Sequence, residues 1–314
     1  MITIQEAKKR FQGVCVPIAT IFHEDGSLDL DSLASNVQWM IDQGAKEGNT
    51  IFLAAGSGGD FSVMNVEERK QVIQTIAEVT AGKVPTICGV QSTDIRDTIA
   101  ICQHAEKVGI DLAQISGHYY YTPIPGDVVA WHEEVARHTS IGFAAYSHWY
   151  SGSKYDVPVS LMERLIEIKN TVAVKWASPV FGNYYDGMVA FLPKAAVIDN
   201  SAMTLTGHIL GCRAFISHVP NFLPQQPWKV FDLLQQGKYE EARKLDDAFG
   251  ESYSKFNTMI TSESTGEGIF VKPWMEAVGL KGGISRLPSR SQAVTPEIKD
   301  GIKKFLDNYA QTLS

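Results

Sequence analysis

The chain has 314 residues, which fits one large domain or a (β/α)8 barrel with an appendage, since such barrels run to about 250 residues. Hydrophobic residues make up 44% of it and aromatic residues 10%, enough for a sizeable core, and a net charge of -7 is spread along the chain. No lysine or arginine run offers a track for a phosphate backbone, so nucleic acid is not an expected partner.

In chain order, short β-rich runs alternate with helical patterns. The first run is Val14–Ala19, followed by the turn His23–Ser27 and by Leu30, Leu33, Val37, Met40 and Ile41 at helical spacing. The second is Thr50–Ala55; its helix starts at Asn65 with Glu68 three positions on, a capping-box arrangement. Pro85–Val90 precedes a helix over Ser92–Val108, and Asp111–Ser116 one over Asp127–His138. Ile141–Tyr146 precedes Pro158–Lys169, Val172–Ala177 is the sixth run, and Ala195–Asp199 and Arg213–Ser217 supply the seventh and eighth. Alternation at this spacing means βαβ units and a parallel sheet, and eight repeats favour a closed α/β barrel, the (β/α)8 TIM barrel. The barrel is assigned to residues 1–223. A C-terminal helical extension over 224–314 includes Tyr239–Phe249, Val271–Val278 and Pro296–Tyr309.

No apolar run reaches the roughly 18 residues of a membrane span. The N-terminal MITIQEAKKRF lacks the apolar core of a signal peptide. Cys15, Cys88, Cys102 and Cys212 form no CxxC pair and read as free buried thiols in a reducing compartment. A soluble cytoplasmic protein without a membrane partner is expected.

In a barrel of this kind the chemistry sits where strands end and βα loops begin. Lys175 lies in the apolar run Thr171–Ser178, where an ammonium is costly to bury. Desolvation favours the neutral amine, the form that attacks a carbonyl. The alternative is an edge lysine whose stem snorkels to solvent. Lys272 is a rival amine with apolar neighbours, but it follows the eight strands, and Pro273 suits a helix start; Lys229 falls on a helix and reads as solvated. Strand two ends in Ala54-Ala-Gly-Ser-Gly-Gly-Asp60. Successive glycines there let backbone N–H groups form a nest for a carboxylate, although a plain tight turn has the same composition. An amine that attacks carbonyls together with a carboxylate nest reads as a site for a 2-oxo acid. Strand four runs into Ser116–Pro123 and strand five into Tyr146–Gly152, and a phenol near an amine can move the protons that imine formation requires. His118, His148 and His218 each follow a strand and raise a zinc reading, but HxH and HExxH are absent, so no metal and no other cofactor is expected. His104, His132, His138 and His208 read as surface residues.

Together these motifs resemble the dihydrodipicolinate synthase/N-acetylneuraminate lyase family of class I aldolases. The likeness runs through Thr20–Asp29, Ala55–Asp60, Glu67–Arg69, Gly89–Ser92, Tyr119-Tyr120, Tyr146, Val174-Lys175, Gly211–Ser217, Val271-Lys272 and Arg286–Pro288. The resemblance implies a barrel with a C-terminal helical extension, assembled as a homotetramer or dimer. It makes Lys175 the Schiff-base lysine, Tyr146 the catalytic tyrosine and Ser57 the hydroxyl that bonds that tyrosine. Gly56, Gly58 and Gly59 fall in the carboxylate-binding turn. Tyr120 matches a relay tyrosine and Ile216 an aliphatic residue of the pyruvyl pocket. His148 and Trp149 are assigned to the far end of the substrate. Three departures stand out: Gly58 replaces a hydroxyl residue, Asp60 replaces glutamate, and no arginine follows Tyr146 in its loop. Lysine-biosynthetic condensation is therefore disfavoured. The expected activity is that of a lyase joining a 2-oxo acid to Lys175 and cleaving or forming a C–C bond, with an aldehyde as the other partner. Dehydration of a hydroxylated sugar acid through the same imine, a non-catalytic sugar-acid-binding regulator and a His-bound metal enzyme are the alternatives.

Overall fold

The computed structural model describes residues 2–150 and 154–313; Ser151 and Gly152, the end of the fifth-strand motif, lie outside them. The chain opens with α1 (Ile4–Arg10), β1 (Gly13–Pro17), α2 (Leu30–Asp42), β2 (Thr50–Ala54) and α3 (Val66–Thr80). Next come β3 (Thr86–Gly89), α4 (Ile95–Val108), β4 (Leu112–Ile115), α5 (Pro125–His138) and β5 (Gly142–Tyr146). They are followed by α6 (Val159–Ile166), β6 (Thr171–Trp176), α7 (Phe181–Phe191), β7 (Ala196–Asp199), α8 (Thr204–Leu210) and β8 (Ala214–Ile216). The chain ends in α9 (Gln225–Gln235), α10 (Tyr239–Thr261), α11 (Gly268–Ala277) and α12 (Pro296–Leu313).

The strands close into a barrel in sequence order, with β8 returning in parallel register to β1, Cys15 beside Ile216. Closure leaves no strand edge unpaired. At the start of β1, Gly13 has φ +96, and a Cβ there would lie 2.2 Å from the Asn49 carbonyl; only glycine fits this approach. By packing, the chain forms two compact units. One comprises Met1–Cys15, Lys46–Leu53 and Ala81–Ile216; the other comprises Val16–Ala45, Ala54–Thr80 and Ser217–Ser314.

Period-two alternation sorts the strand residues. Cys15, Ile51, Leu53, Ile87, Leu112, Ala144, Ala173, Ile198 and Ala214 form the barrel's inner cluster. Ala145, Val174 and Trp176 instead pack against α6 and α7 through Leu161, Leu165, Tyr184, Met188 and Phe191. The capping box before α3 is present: Glu68 N–H donates to the Asn65 side chain at 3.0 Å, and Asn65 N–H to Glu68 at 3.0 Å.

Helices α1, α7 and α8 have no counterpart in the periodicity reading. Helix α7 exposes Phe181, Tyr185 and Val189 opposite its buried Tyr184, Met188 and Phe191, so it is apolar on both sides and lacks a polar face to set the period. Helix α11 starts at Gly268, ahead of the expected Val271, and holds Pro273 inside it. Burial of Ile269, Val271, Trp274 and Met275 outweighs the one backbone hydrogen bond that proline forgoes.

Two of the histidines expected at the surface are buried, His132 at 0% exposure and His208 at 7%. His132 shares the buried face of α5 with Val128 and Val135, and its Nδ1 lies 2.7 Å from the Val128 carbonyl oxygen. Burial lowers its pKa to about 4. The unfolded chain therefore takes a proton below about pH 6.5 that the folded chain refuses until about pH 4, so stability present above 6.5 is lost as the pH falls through this window. We expect this one histidine to remove roughly 2 kcal/mol by pH 5. Denaturant titrations of the wild type and His132→Gln should diverge with pH in that range; parallel profiles would refute the assignment.

Candidate active site

Lys175 and Tyr146 are paired residues of adjacent strands, each at or one residue from the C-terminal end of its own. Lys175 shares the alternation parity of Ala173, and Tyr146 that of Ala144, so both side chains belong to the barrel interior. They are 4% and 5% exposed, and Lys175 Nζ lies 4.3 Å from the centre of the Tyr146 ring. Lys175 is thus a buried lysine, not a snorkelling edge residue. The Cys15 thiol of the inner cluster is pushed up to about 12 by burial, against the opposing influence of the Lys175 charge. All four cysteines are buried, and none is in a disulfide.

The loop after β5 packs on this pair. The His148 ring is tilted against Tyr146, centroids 4.9 Å apart. Its pKa is lowered to about 4, chiefly by burial and further by the Lys175 charge, so at neutral pH it is an uncharged wall. His148 and Tyr146 line a cavity with Gly117, Val128, His132 and Tyr155. The Tyr146 hydroxyl hydrogen-bonds the Tyr150 hydroxyl, which also accepts from Asn200 Nδ2 at 2.9 Å. Trp149 is half-buried and edge-on to Tyr150 at 5.9 Å. His118 stacks on Tyr121 at 5.4 Å, and its Nδ1 accepts from Tyr120 N–H at 3.2 Å. Tyr120 itself is 75% exposed. Ile216 packs partly buried on the inner cluster.

In the second unit, Gly56 to Asp60 form a tight 3-10 turn continuing from β2. Gly59 N–H donates to the Gly56 carbonyl at 3.0 Å and Asp60 N–H to the Ser57 carbonyl at 3.1 Å. Two non-glycine residues with left-handed backbone, Ala55 (φ 47) and Asp60 (φ 56), flank the turn, a local strain of the kind concentrated at functional sites. Asp60 is anchored by Lys272, the rival amine: their charged atoms are 3.1 Å apart with both residues buried. Lys272 Nζ also donates to the Ile284 carbonyl at 2.7 Å. Burial pushes the Asp60 carboxyl up and the Lys272 amine down, and each partner's charge opposes the other's shift. Lys272 is therefore a structural cation. Lys229 is exposed on α9.

The absent side chain at Gly58 is explained in space. A Cβ there would lie 2.6 Å from His218 Nε2 and 2.8 Å from Pro17 Cβ. His218 fills that volume, 3.3 Å from Glu267 and edge-on to Phe270 at 5.3 Å. Glu267 and Asn200 were not singled out from sequence. The only signal for the first was the missing hydroxyl at Gly58, and for the second the polar step after β7. Among the described residues no group of three His, Cys, Asp or Glu side chains is arranged to hold a metal, and no helix is long and apolar enough to cross a membrane.

A (β/α)8 barrel holding a buried amine against a phenol at neighbouring strand ends defines a class: a barrel lyase working through a lysine. A profile of the dihydrodipicolinate synthetase family matches residues 10–308, and the chain belongs to that family. It is 27% identical over 277 residues to a 4-hydroxy-tetrahydrodipicolinate synthase of Methanococcus aeolicus, covering 88% of this chain and 92% of the relative. Two solved structures share the fold at 21% identity. A prophage protein of the dihydrodipicolinic acid synthase family from E. coli K12, in complex with pyruvate, superposes with a TM-score of 0.83 over 95% of this chain and 98% of that one. N-acetylneuraminate lyase from Mycoplasma synoviae does so with a TM-score of 0.81 over 96% and 98%.

Proposed function

We propose that the protein joins a 2-oxo acid to Lys175 as a Schiff base and makes or breaks the C3–C4 bond, with an aldehyde as the other partner. The observation that carries this reading is the Lys175 amine 4.3 Å from the Tyr146 ring centre, both buried at the C-terminal ends of paired strands. The neutral amine attacks C2, and Tyr146 moves the protons by which the carbinolamine loses water. The protonated imine then accepts the electron pair of the breaking bond. By resemblance, Ser57 steadies the tyrosine and the glycine-rich turn takes the carboxylate. Because the Gly59 amide is already committed inside the turn, the Ser57 and Gly58 amides are the donors assigned to it. Tyr120, Ile216, His148 and Trp149 are assigned to the rest of the substrate. The pyruvate complex of the E. coli relative supports a 2-oxo acid as ligand.

The same imine would serve dehydration of a hydroxylated sugar acid, favoured by the run Ala54–Ser62 and by His118-Tyr119. Retention of both lysine and tyrosine weighs against a regulator without chemistry. Borohydride added with pyruvate or a sugar-derived 2-oxo acid should leave a reduced adduct on the peptide containing Lys175. Product masses then separate cleavage, which yields pyruvate and an aldehyde, from loss of one water. If no 2-oxo acid leaves an adduct, the imine reading fails.

Self-association as a homotetramer or dimer is supported by the exposed apolar row Phe181, Tyr185 and Val189 on α7. Sedimentation as a monomer at assay concentration would refute it. Buried cysteines, none in a disulfide, fit a reducing, cytoplasmic setting.

A further inference from the structure

Tyr150 lies four residues beyond the catalytic phenol, and its hydroxyl is bonded from two sides. Tyr146 Oη meets it on one side, and Asn200 Nδ2 donates to it at 2.9 Å on the other. Asn200 is held in turn: it follows the last residue of β7, and its backbone N–H donates to the Trp176 carbonyl at 2.9 Å, one residue beyond Lys175. Trp149 stands edge-on to the Tyr150 ring, and Lys154 Nζ donates to the Tyr150 carbonyl at 3.2 Å. The hydroxyl is therefore held between the end of β5 and the residue after β7, and that residue is tied by its backbone to β6.

The direction of the asparagine bond matters. An amide N–H can only donate, so it occupies a lone pair of Tyr150 and leaves that residue's own proton available for Tyr146. Tyr146 must pass through an anionic state: when the carbinolamine loses water, its hydroxyl takes the Tyr146 proton, the nitrogen lone pair forms the C=N bond, water leaves, and a phenolate remains. A preset donor aimed at that oxygen stabilises the charge as it forms.

We propose that Tyr150, oriented by Asn200, is a positioning residue that donates to Tyr146 and stabilises its phenolate during imine formation. This rests on the Schiff-base reading above. It does not make Asn200 a proton carrier, since a neutral amide only holds the Tyr150 hydroxyl in place.

The test is kinetic, on the full-length protein. Tyr150→Phe, which keeps the ring and its packing, is expected to lower kcat about 10- to 100-fold with KM nearly unchanged, and to slow borohydride-trappable adduct formation on Lys175 in proportion. Asn200→Ala should give a smaller loss. Asn200→Asp should do worse than Asn200→Ala, because a carboxylate accepts the Tyr150 proton and turns it away from Tyr146; a merely structural role for Asn200 predicts the opposite order. If the wild type forms the adduct and turns over while Tyr150→Phe retains full kcat, or alters only KM, the inference is wrong and the Lys175 chemistry stands. If the wild type forms no adduct with any 2-oxo acid, both fall.

Discussion

Lys175→Met is expected to abolish turnover, by about ten-thousand-fold or more, while leaving the fold intact. The size follows from what is lost. Without the amine there is no imine, hence no electron sink for the C3–C4 bond, and neighbouring groups cannot supply one. Removing a covalent nucleophile costs at least four powers of ten in comparable systems, or roughly 5 to 6 kcal/mol of transition-state stabilisation. The fold should tolerate the change because the side chain is 4% exposed among apolar and aromatic neighbours. Replacing a buried amine there by an apolar chain of similar length keeps the packing and removes a polar group that is costly to bury. Steady-state kinetics and thermal unfolding of the variant, read together, make the check. Retained turnover, or an adduct that moves to Lys272, would contradict the assignment.

Lys272→Met is expected to have the opposite profile. It leaves the Asp60 carboxylate buried without its counter-charge, which costs about 3–5 kcal/mol of stability. The Gly268 backbone N–H, whose hydrogen bond favours the charged carboxylate, offsets part of that cost. A Cβ at Gly268 would lie 2.2 Å from Asp60 Oδ2, so glycine there leaves the carboxylate its place beside the backbone. The double variant Asp60→Asn/Lys272→Met removes both charges and should recover much of the loss, as expected when the penalty is an unpaired ion rather than missing contacts. Equilibrium urea unfolding of the three variants decides the matter. A single variant as stable as wild type would mean that Asp60 is already neutral in the folded protein.

The two amines show how far sequence reasoning reached. Both Lys175 and Lys272 sit among apolar neighbours, and both are buried at under 5% exposure. Strand order separated them: one lies in the sixth β-rich run, and the other follows all eight. What sequence could not supply was the partner. Lys272 finds Asp60, 212 positions away, while Lys175 lies over an aromatic ring. Periodicity is a local property, and charge compensation is not.

The same distinction runs through the rest of the molecule. The runs that became β1 to β8 were legible because barrel strands, buried on both faces, read as continuous apolar stretches, and the cap at Asn65 because its two bonds join neighbours in the chain. His132 was misplaced because one polar residue on a helix gives no sign of which face it occupies until Val128 and Val135 pack inward.

The sequence by itself determined the barrel, its order of strands, and the lysine and tyrosine near the ends of two of them, since these follow from local patterning and from the anomaly of a lysine in an apolar run. Only the tertiary structure decided that Tyr146 and Lys175 are register partners, that His218 occupies the volume vacated at Gly58, and that Tyr150 is held by Asn200. Each depends on barrel closure or on packing between segments distant in the chain. Whether a buried charge or hydroxyl is satisfied is a question about three-dimensional neighbours, which pattern along a chain does not encode.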